Sequence, residues 1–143
     1  MNVNNLTFTS KENPGSDEID ELRMSLRAFN NKFAGEYERT SLIHQVRDSE
    51  GTLLGGAYGY ISWGWLYIDL LWVDDSLRGT GMGTRLIKEI EKLANEKDVY
   101  CYYLGTTSFQ ALDFYKKMGY QVCGEIEGLP PGYTNYFLKK TDH

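Results

Sequence analysis

Between Trp65 and Val73 the chain reads W-L-Y-I-D-L-L-W-V, nine residues with one charge, Asp69, and then runs through D-D-S-L into R-G-T-G-M-G at residues 78–83. A strand this nearly continuously apolar reads as a central strand of a sheet. A helix follows the turn: Met82, Leu86, Ile87, Ile90, Leu93 and Ala94 fall on a single face, and the pattern fades near Lys97. A glycine-rich turn at a helix N-terminus cradles an anion. The first amides have no intrahelical partner, the helix dipole adds positive potential, and glycine lets a bulky anion approach the backbone. Gly79, Gly81 and Gly83, the amides of Thr80 and Met82, and the Thr84 hydroxyl are the groups expected around it. Arg78 either adds a charge-assisted contact or stays solvated and contributes backbone alone.

The rest of the chain alternates between the two periodicities. Residues 6–10 read as a short strand, and Pro14 and Gly15 mark a turn before a helix that Ser16 or Asp17 caps. Ile19, Leu22, Leu26 and Phe29 carry that helix until Asn30 and Asn31 weaken it. Residues 42–47 and 53–61 flank D-S-E-G and predict an antiparallel hairpin; Trp63 and Gly64 then turn the chain into the apolar strand. After the glycine turn and its helix come a strand at 99–104, a helix at 108–118 stopped by Gly119, a strand from Tyr120, a G-L-P-P-G break and a last strand at 134–140. The order β-α-β-β-β-α-β-α-β-β describes an α/β fold, a mixed sheet with helices on its faces.

At 143 residues with 41% hydrophobic content the chain is expected to be a single domain over residues 1–143. A net charge of -5 argues against nucleic acid and anionic membrane as partners and favours cations. The N-terminus has no leader-like pattern and no apolar run approaches the ~20 residues of a membrane span, so a soluble cytoplasmic protein is expected. Cys101 and Cys123 lie in strand-like runs without a C-x-x-C pair and are expected as buried thiols. No ligand cluster has metal spacing, so no metal is expected. The turn also lacks the G-K-[ST] ending of nucleotide phosphate transfer.

A strand, an R-G-x-G-x-G turn, a helix, a second strand and a short helix carrying F-Y-K-K-M-G-Y stand here in that order. That order resembles the GCN5-related N-acetyltransferase (GNAT) superfamily, strongly from Trp65 to Gly124 and weakly before Leu42. The family pattern Q/R-x-x-G-x-G/A, which binds the pyrophosphate of acetyl-coenzyme A, matches Arg78, Gly81 and Gly83 without a gap. The resemblance implies the GNAT fold: a mixed, mostly antiparallel central sheet with splayed central strands and helices on both faces. The pantetheine arm would enter that splay, with Leu71 and Val73 offering backbone groups and the Val73 amide close to the thioester carbonyl, where it would stabilise negative charge. S-F-Q-A-L-D-F-Y-K-K-M-G-Y resembles the second cofactor segment of the family, in which a tyrosine at the position of Tyr115 commonly protonates the departing thiolate. Ser108 stands where the family often has a cofactor-contacting asparagine; it can donate one hydrogen bond, over a shorter reach.

The implied activity is acetyl transfer from acetyl-coenzyme A, as donor substrate, to a primary amine in a ternary complex. Tyr115 is the candidate general acid; an ordinary amphipathic helix tyrosine is the alternative. For the base, His44 and the terminal His143 are expected to be structural or solvent-exposed. Asp69 is the candidate, sharing a face with Tyr67, Leu71 and Val73 by alternation. A carboxylate stripped of water holds a proton more firmly, which suits a base, whereas hydrogen-bonding a neighbouring strand or orienting a substrate ammonium is the alternative. Tyr58, Tyr60, Trp63, Trp65, Glu125 and Glu127 are candidates to frame a cationic small-molecule acceptor, a small amine or polyamine first. The late strands and aromatic surface would suit a homodimer. The competing reading is a noncatalytic acyl-coenzyme A sensor or interaction domain, which would keep the turn and lack acceptor chemistry.

Overall fold

The computed structural model describes residues 2–36, 38–109 and 111–141, and His143 lies outside them. Two compact units divide the chain, Met1–Tyr37 and Glu38–His143. The first holds a 3-10 turn at Val3–Asn5 and helix α1, Ser16–Ala34. Residues 6–10 form no strand. A strand requires a hydrogen-bonded neighbour, and here Leu6 and Phe8 are exposed. Gly15, rather than Ser16 or Asp17, is the N-cap, with its amide on the Glu18 carboxylate at 3.4 Å. The helix continues past Asn30 and Asn31, since asparagine only lowers helix propensity; it stops at Gly35, whose φ of 75° leaves the helical region.

The second unit contains β1 (Thr40–Arg47), β2 (Leu53–Ser62), β3 (Trp65–Val73), α2 (Met82–Asn95), β4 (Cys101–Thr107), α3 (Leu112–Lys117), β5 (Gln121–Glu127) and β6 (Thr134–Thr141). The strands form one sheet in the order β1-β2-β3-β4-β6-β5, with β3–β4 the parallel pair and the other four pairs antiparallel. Asp48 makes the first hairpin by accepting from the Glu50 and Thr52 amides, both at 2.9 Å. One stripe of α2, Leu86, Ile87, Ile90 and Ala94, is buried with Ala57, Leu66, Ile68, Tyr102, Leu104 and Leu138. At about 1.5–3 kcal/mol for each large side chain, that stripe holds the helix, and with it the glycine turn, to the sheet. α3 starts later than its sequence pattern suggested. Ser108 is still tied to β6, donating its amide to the Thr134 carbonyl at 2.8 Å and accepting the Thr134 amide on Oγ at 3.2 Å.

β3 contains a bulge. Gly59 pairs with Ile68 and Tyr58 with Leu70, which leaves Asp69 as the extra residue. The facing pattern therefore changes phase: Leu66 and Ile68 are buried before it, and Leu71 and Val73 pack against the core after it. Simple alternation is corrected here, because Tyr67 lies on the opposite face from Leu71 and Val73. Gly59 makes the bulge possible, since a Cβ there would lie 2.3 Å from the Tyr67 carbonyl oxygen. β5 is exposed along nearly its whole length, so Cys123, beside a second bulge between Val122 and Gly124, faces solvent, and Cys101 at the start of β4 is half-buried. Neither thiol is the fully buried one expected. No helix among the described residues is long and apolar enough to cross a membrane.

Candidate active site

β3 and β4 pair only at Leu66–Tyr102, Tyr67–Tyr103 and Ile68–Leu104. Beyond the bulge they separate, and a cavity of about 750 Å3 opens between them. Leu71 and Val73 form one wall, Gly105 and Thr106 the other; the glycine turn closes one end, and Phe114 and Tyr115 of α3 complete the lining. The Asp74 amide donates to the Leu54 carbonyl at 2.8 Å, towards β2. Since successive amides of a strand point to opposite sides, Val73 and Leu71 turn theirs away from β2, into the splay. Backbone donors thus face the cavity where no strand pairs with them.

The three glycines of the turn have different reasons. Gly79 and Gly81 adopt φ of 77° and 80°, and a Cβ on either would meet no heavy atom within 4 Å. Their backbone lies bare beside open space, as an anion cradle requires. Gly83 has no unusual φ; its Cβ would come 3.4 Å from the Phe114 ring, so it permits α3 to pack against α2. Gly81 is the N-cap of α2 and accepts the first helical bond, from the Arg85 amide at 3.1 Å. The amides of Met82, Gly83 and Thr84 therefore precede the intrahelical ladder. Thr80 instead braces the turn: amide and hydroxyl both donate to the Leu77 carbonyl, and the residue does not line the cavity. Arg78 lines it, but its Nε is 2.8 Å from the Asp75 carboxylate in an exposed pair, a contact weak enough to exchange for a stronger anion. Asp74 anchors the entry to the turn; hydrogen bonds from the Ser76 hydroxyl and amide hold its carboxyl below the usual range.

Tyr115 is buried, and burial pushes its phenol up to about 12. Edge-to-face contacts with Phe114, 5.0 Å between centroids, and Tyr120, 5.8 Å, fix its ring in the cavity wall. Behind it Tyr120 donates to Glu91 at 2.6 Å, and Lys140 pairs with the same buried carboxylate at 3.2 Å. Burial and that carboxylate raise the Tyr120 phenol far above its ordinary value. A neighbouring cavity of about 490 Å3, sharing Thr84 and Phe114 with the first, is lined by Lys88, Lys117 and Lys140. Sequence reasoning missed these lysines as a group. Lys88 lies one turn after Thr84, but only tertiary packing brings Lys117 and Lys140 to it.

Of the candidates named from sequence, Asp69, Leu71, Val73, Arg78, Gly79, Gly81, Met82, Gly83, Thr84 and Tyr115 converge on the one cavity. Ser108 does not line it; its hydroxyl oxygen holds the Thr134 amide. Asp69 reaches the cavity from the bulge, but it is exposed, not the desolvated carboxylate expected. His44 is half-buried on β1, and Glu125 and Glu127 are exposed on β5, all three away from the cavity lining. No cluster of three or more His, Cys, Asp or Glu suited to a metal occurs among the described residues.

The model of the acetyltransferase (GNAT) family matches residues 4–120. The chain is 44% identical over 92 residues to blasticidin-S acetyltransferase of Streptomyces morookaense, covering 63% of this chain and 67% of that one. It is 29% identical over 119 residues to acetyltransferase Atu2258 of Agrobacterium fabrum (strain C58 / ATCC 33970), covering 83% and 87%. Among solved structures, an acetyltransferase from Bacillus cereus ATCC 14579 superposes with a TM-score of 0.82 at 33% identity, over 94% of this chain and 98% of that one.

Proposed function

The chain belongs to the acetyltransferase (GNAT) family, and on that premise we propose that it transfers an acetyl group from acetyl-coenzyme A to a primary amine of a small molecule, by direct attack in a ternary complex. The observation that carries this reading is the single cavity joining the bare glycine turn, the unpaired β3 amides and Tyr115. Its shape suits a long donor: anionic at the turn, amide-bearing along the splay, and reactive near Tyr115. Acetyl-coenzyme A supplies the acetyl thioester.

The amides of Met82, Gly83 and Thr84, with the backbone of Gly79 and Gly81, hold the pyrophosphate, and Arg78 leaves Asp75 to reach it. Lys88 and Lys117 offer positive charge just beyond Thr84. Leu71 and Val73 bond the pantetheine arm as a neighbouring strand would, and the Val73 amide donates to the carbonyl oxygen as charge gathers there. The amine lone pair forms the new C–N bond, the C–S bond breaks, and the proton shed by nitrogen passes to Asp69 or water. Tyr115 donates a hydrogen bond to the departing sulfur. With the phenol near 12 and a thiol near 8.5, complete proton transfer to sulfur would be uphill by on the order of 5 kcal/mol, so the phenol stays protonated and the thiolate takes its proton from water on release.

The testing experiment follows free thiol released from acetyl-coenzyme A across amines, polyamines, peptides and antibiotics, blasticidin S among them because a relative is named for it. Turnover with one class establishes the reaction. Calorimetric binding of acetyl-coenzyme A without turnover in any class would replace it with the sensor reading.

A further inference from the structure

Three tyrosines stand in one row across the face of the sheet opposite α2. Tyr60 of β2 is the register partner of Tyr67 of β3, and Tyr67 is the partner of Tyr103 of β4. Their rings touch in sequence, 5.3 Å and 4.9 Å between centroids, and Trp65 meets Tyr103 edge-on at 6.0 Å. The row faces away from α2: its neighbours Leu66, Ile68, Tyr102 and Leu104 are the buried ones. Tyr103 remains 41% exposed, so this is a surface and not a core.

Cations stand at both ends of the row, and a carboxylate lies beside its middle ring. The Arg39 guanidinium stacks 3.4 Å from the Tyr60 centroid, exposed and paired with no carboxylate among the described residues. The Lys139 position continues the row as the register partner of Tyr103. Asp69, the extra residue of the bulge and on the Tyr67 side, lies at the cavity end, its carboxylate exposed and without a hydrogen-bond partner among the described residues. The phenols register these charges: after burial, the Asp69 carboxylate further raises Tyr67, and at Tyr103 burial and Tyr60 raise the phenol while Arg39 opposes the rise. Stacking costs Arg39 none of its in-plane N–H donors, which keep the fork geometry that matches a carboxylate. A polycation laid along the row would be repelled by Arg39 and by Lys139, so cation–π capture of a polyamine is disfavoured there.

We propose that the row Tyr60–Tyr67–Tyr103 with Arg39 is the acceptor-binding surface, and that the acceptor is an amine bearing a carboxylate or similar anionic group. Arg39 takes the anionic end, the phenol faces carry the intervening atoms, and Asp69 orients the ammonium end at the mouth of the cavity. Arg39 is a specificity-determining residue and takes no part in the bond changes. The inference rests on the acetyl-transfer reading and narrows its acceptor.

The probes are the ω-amino acids from glycine to 6-aminohexanoate and their primary amides, which match in shape and lack the negative charge. For at least one chain length the carboxylate should exceed its amide by about tenfold or more in kcat/KM, carried by KM. Arg39→Gln should bring the two within about threefold while the acetyl-coenzyme A Kd stays unchanged, and Arg39→Lys should restore part of the difference. Equal use of acid and amide by the parent protein overturns the proposal. So does a carboxylate preference that survives Arg39→Gln, or failure of every ω-amino acid while acetyl-coenzyme A binds and another amine is turned over. Failure of acetyl-coenzyme A binding itself would instead strike the acetyl-transfer reading.

Discussion

Replacing Tyr115 by Phe removes one oxygen from a buried ring whose packing on Phe114 and Tyr120 does not depend on it. The fold should be nearly indifferent at neutral pH, within about 0.5 kcal/mol. The reaction should not be. A hydrogen bond to a charged acceptor contributes about 1.5–3 kcal/mol, and the departing sulfur carries charge only as the C–S bond breaks, so kcat should fall by about 10- to 150-fold while acetyl-coenzyme A affinity holds. Thiol release under saturating substrate measures the first, calorimetry the second. An independent check comes from alkali. With the folded phenol near 12 and the unfolded one near 10, the unfolded chain loses its proton first as pH rises, so it binds fewer protons and stability falls between pH 10 and pH 12. That loss amounts to on the order of 2–3 kcal/mol by pH 12, and Tyr115→Phe should be spared it. Tyr120 is present in both proteins, and because its rise comes first from burial and Glu91, with Tyr115 the smallest cause, its contribution largely cancels. Full kcat in Tyr115→Phe would refute the role at sulfur; equal alkaline stability of the two proteins would refute the burial argument beneath it.

Gly81→Val places a branched side chain at φ 80° and into the open space before the first amides of α2, and should weaken acetyl-coenzyme A binding by about a hundredfold or more. Gly51→Val, equally strained at φ 86° with open space around it, should leave that affinity unchanged; parallel losses would show that strain alone is responsible. Gly59→Ala drives a Cβ into the Tyr67 carbonyl and should cost about 3 kcal/mol in denaturant unfolding while disturbing the bulge that presents Asp69; a cost below about 1 kcal/mol would mean the strands separate easily. Lys140→Met leaves Glu91 buried with Tyr120 and without its cation, a loss of about 3 kcal/mol by the same measurement; an unchanged midpoint would show that the ion pair contributes nothing net to the fold.

Local chemistry determined much of this protein. The apolar run at Trp65–Val73, the glycines at 79, 81 and 83 and the stripe Leu86–Ile87–Ile90–Ala94 are readable from the chain because each follows from backbone sterics or a single period. They brought the internal strand, the anion cradle and the helix above it into view together. What alternation could not reach was the bulge at Asp69. Nothing in W-L-Y-I-D-L-L-W-V announces it; the extra residue arises because Gly59, on another strand, lets the Tyr67 carbonyl come close. The shift of one residue exchanged the faces of everything after it, leaving Tyr67 with Tyr60 and Tyr103 and giving Leu71 and Val73 to the core. Ser108 and the strand expected at residues 6–10 differed for a related reason: a side chain's partner and a strand's neighbour are distant in sequence. Periodicity measures what a residue does to its own helix or strand. Only tertiary structure decides which hydrogen bonds, charges and rings arrive from elsewhere, and here that decides which groups meet at the cavity.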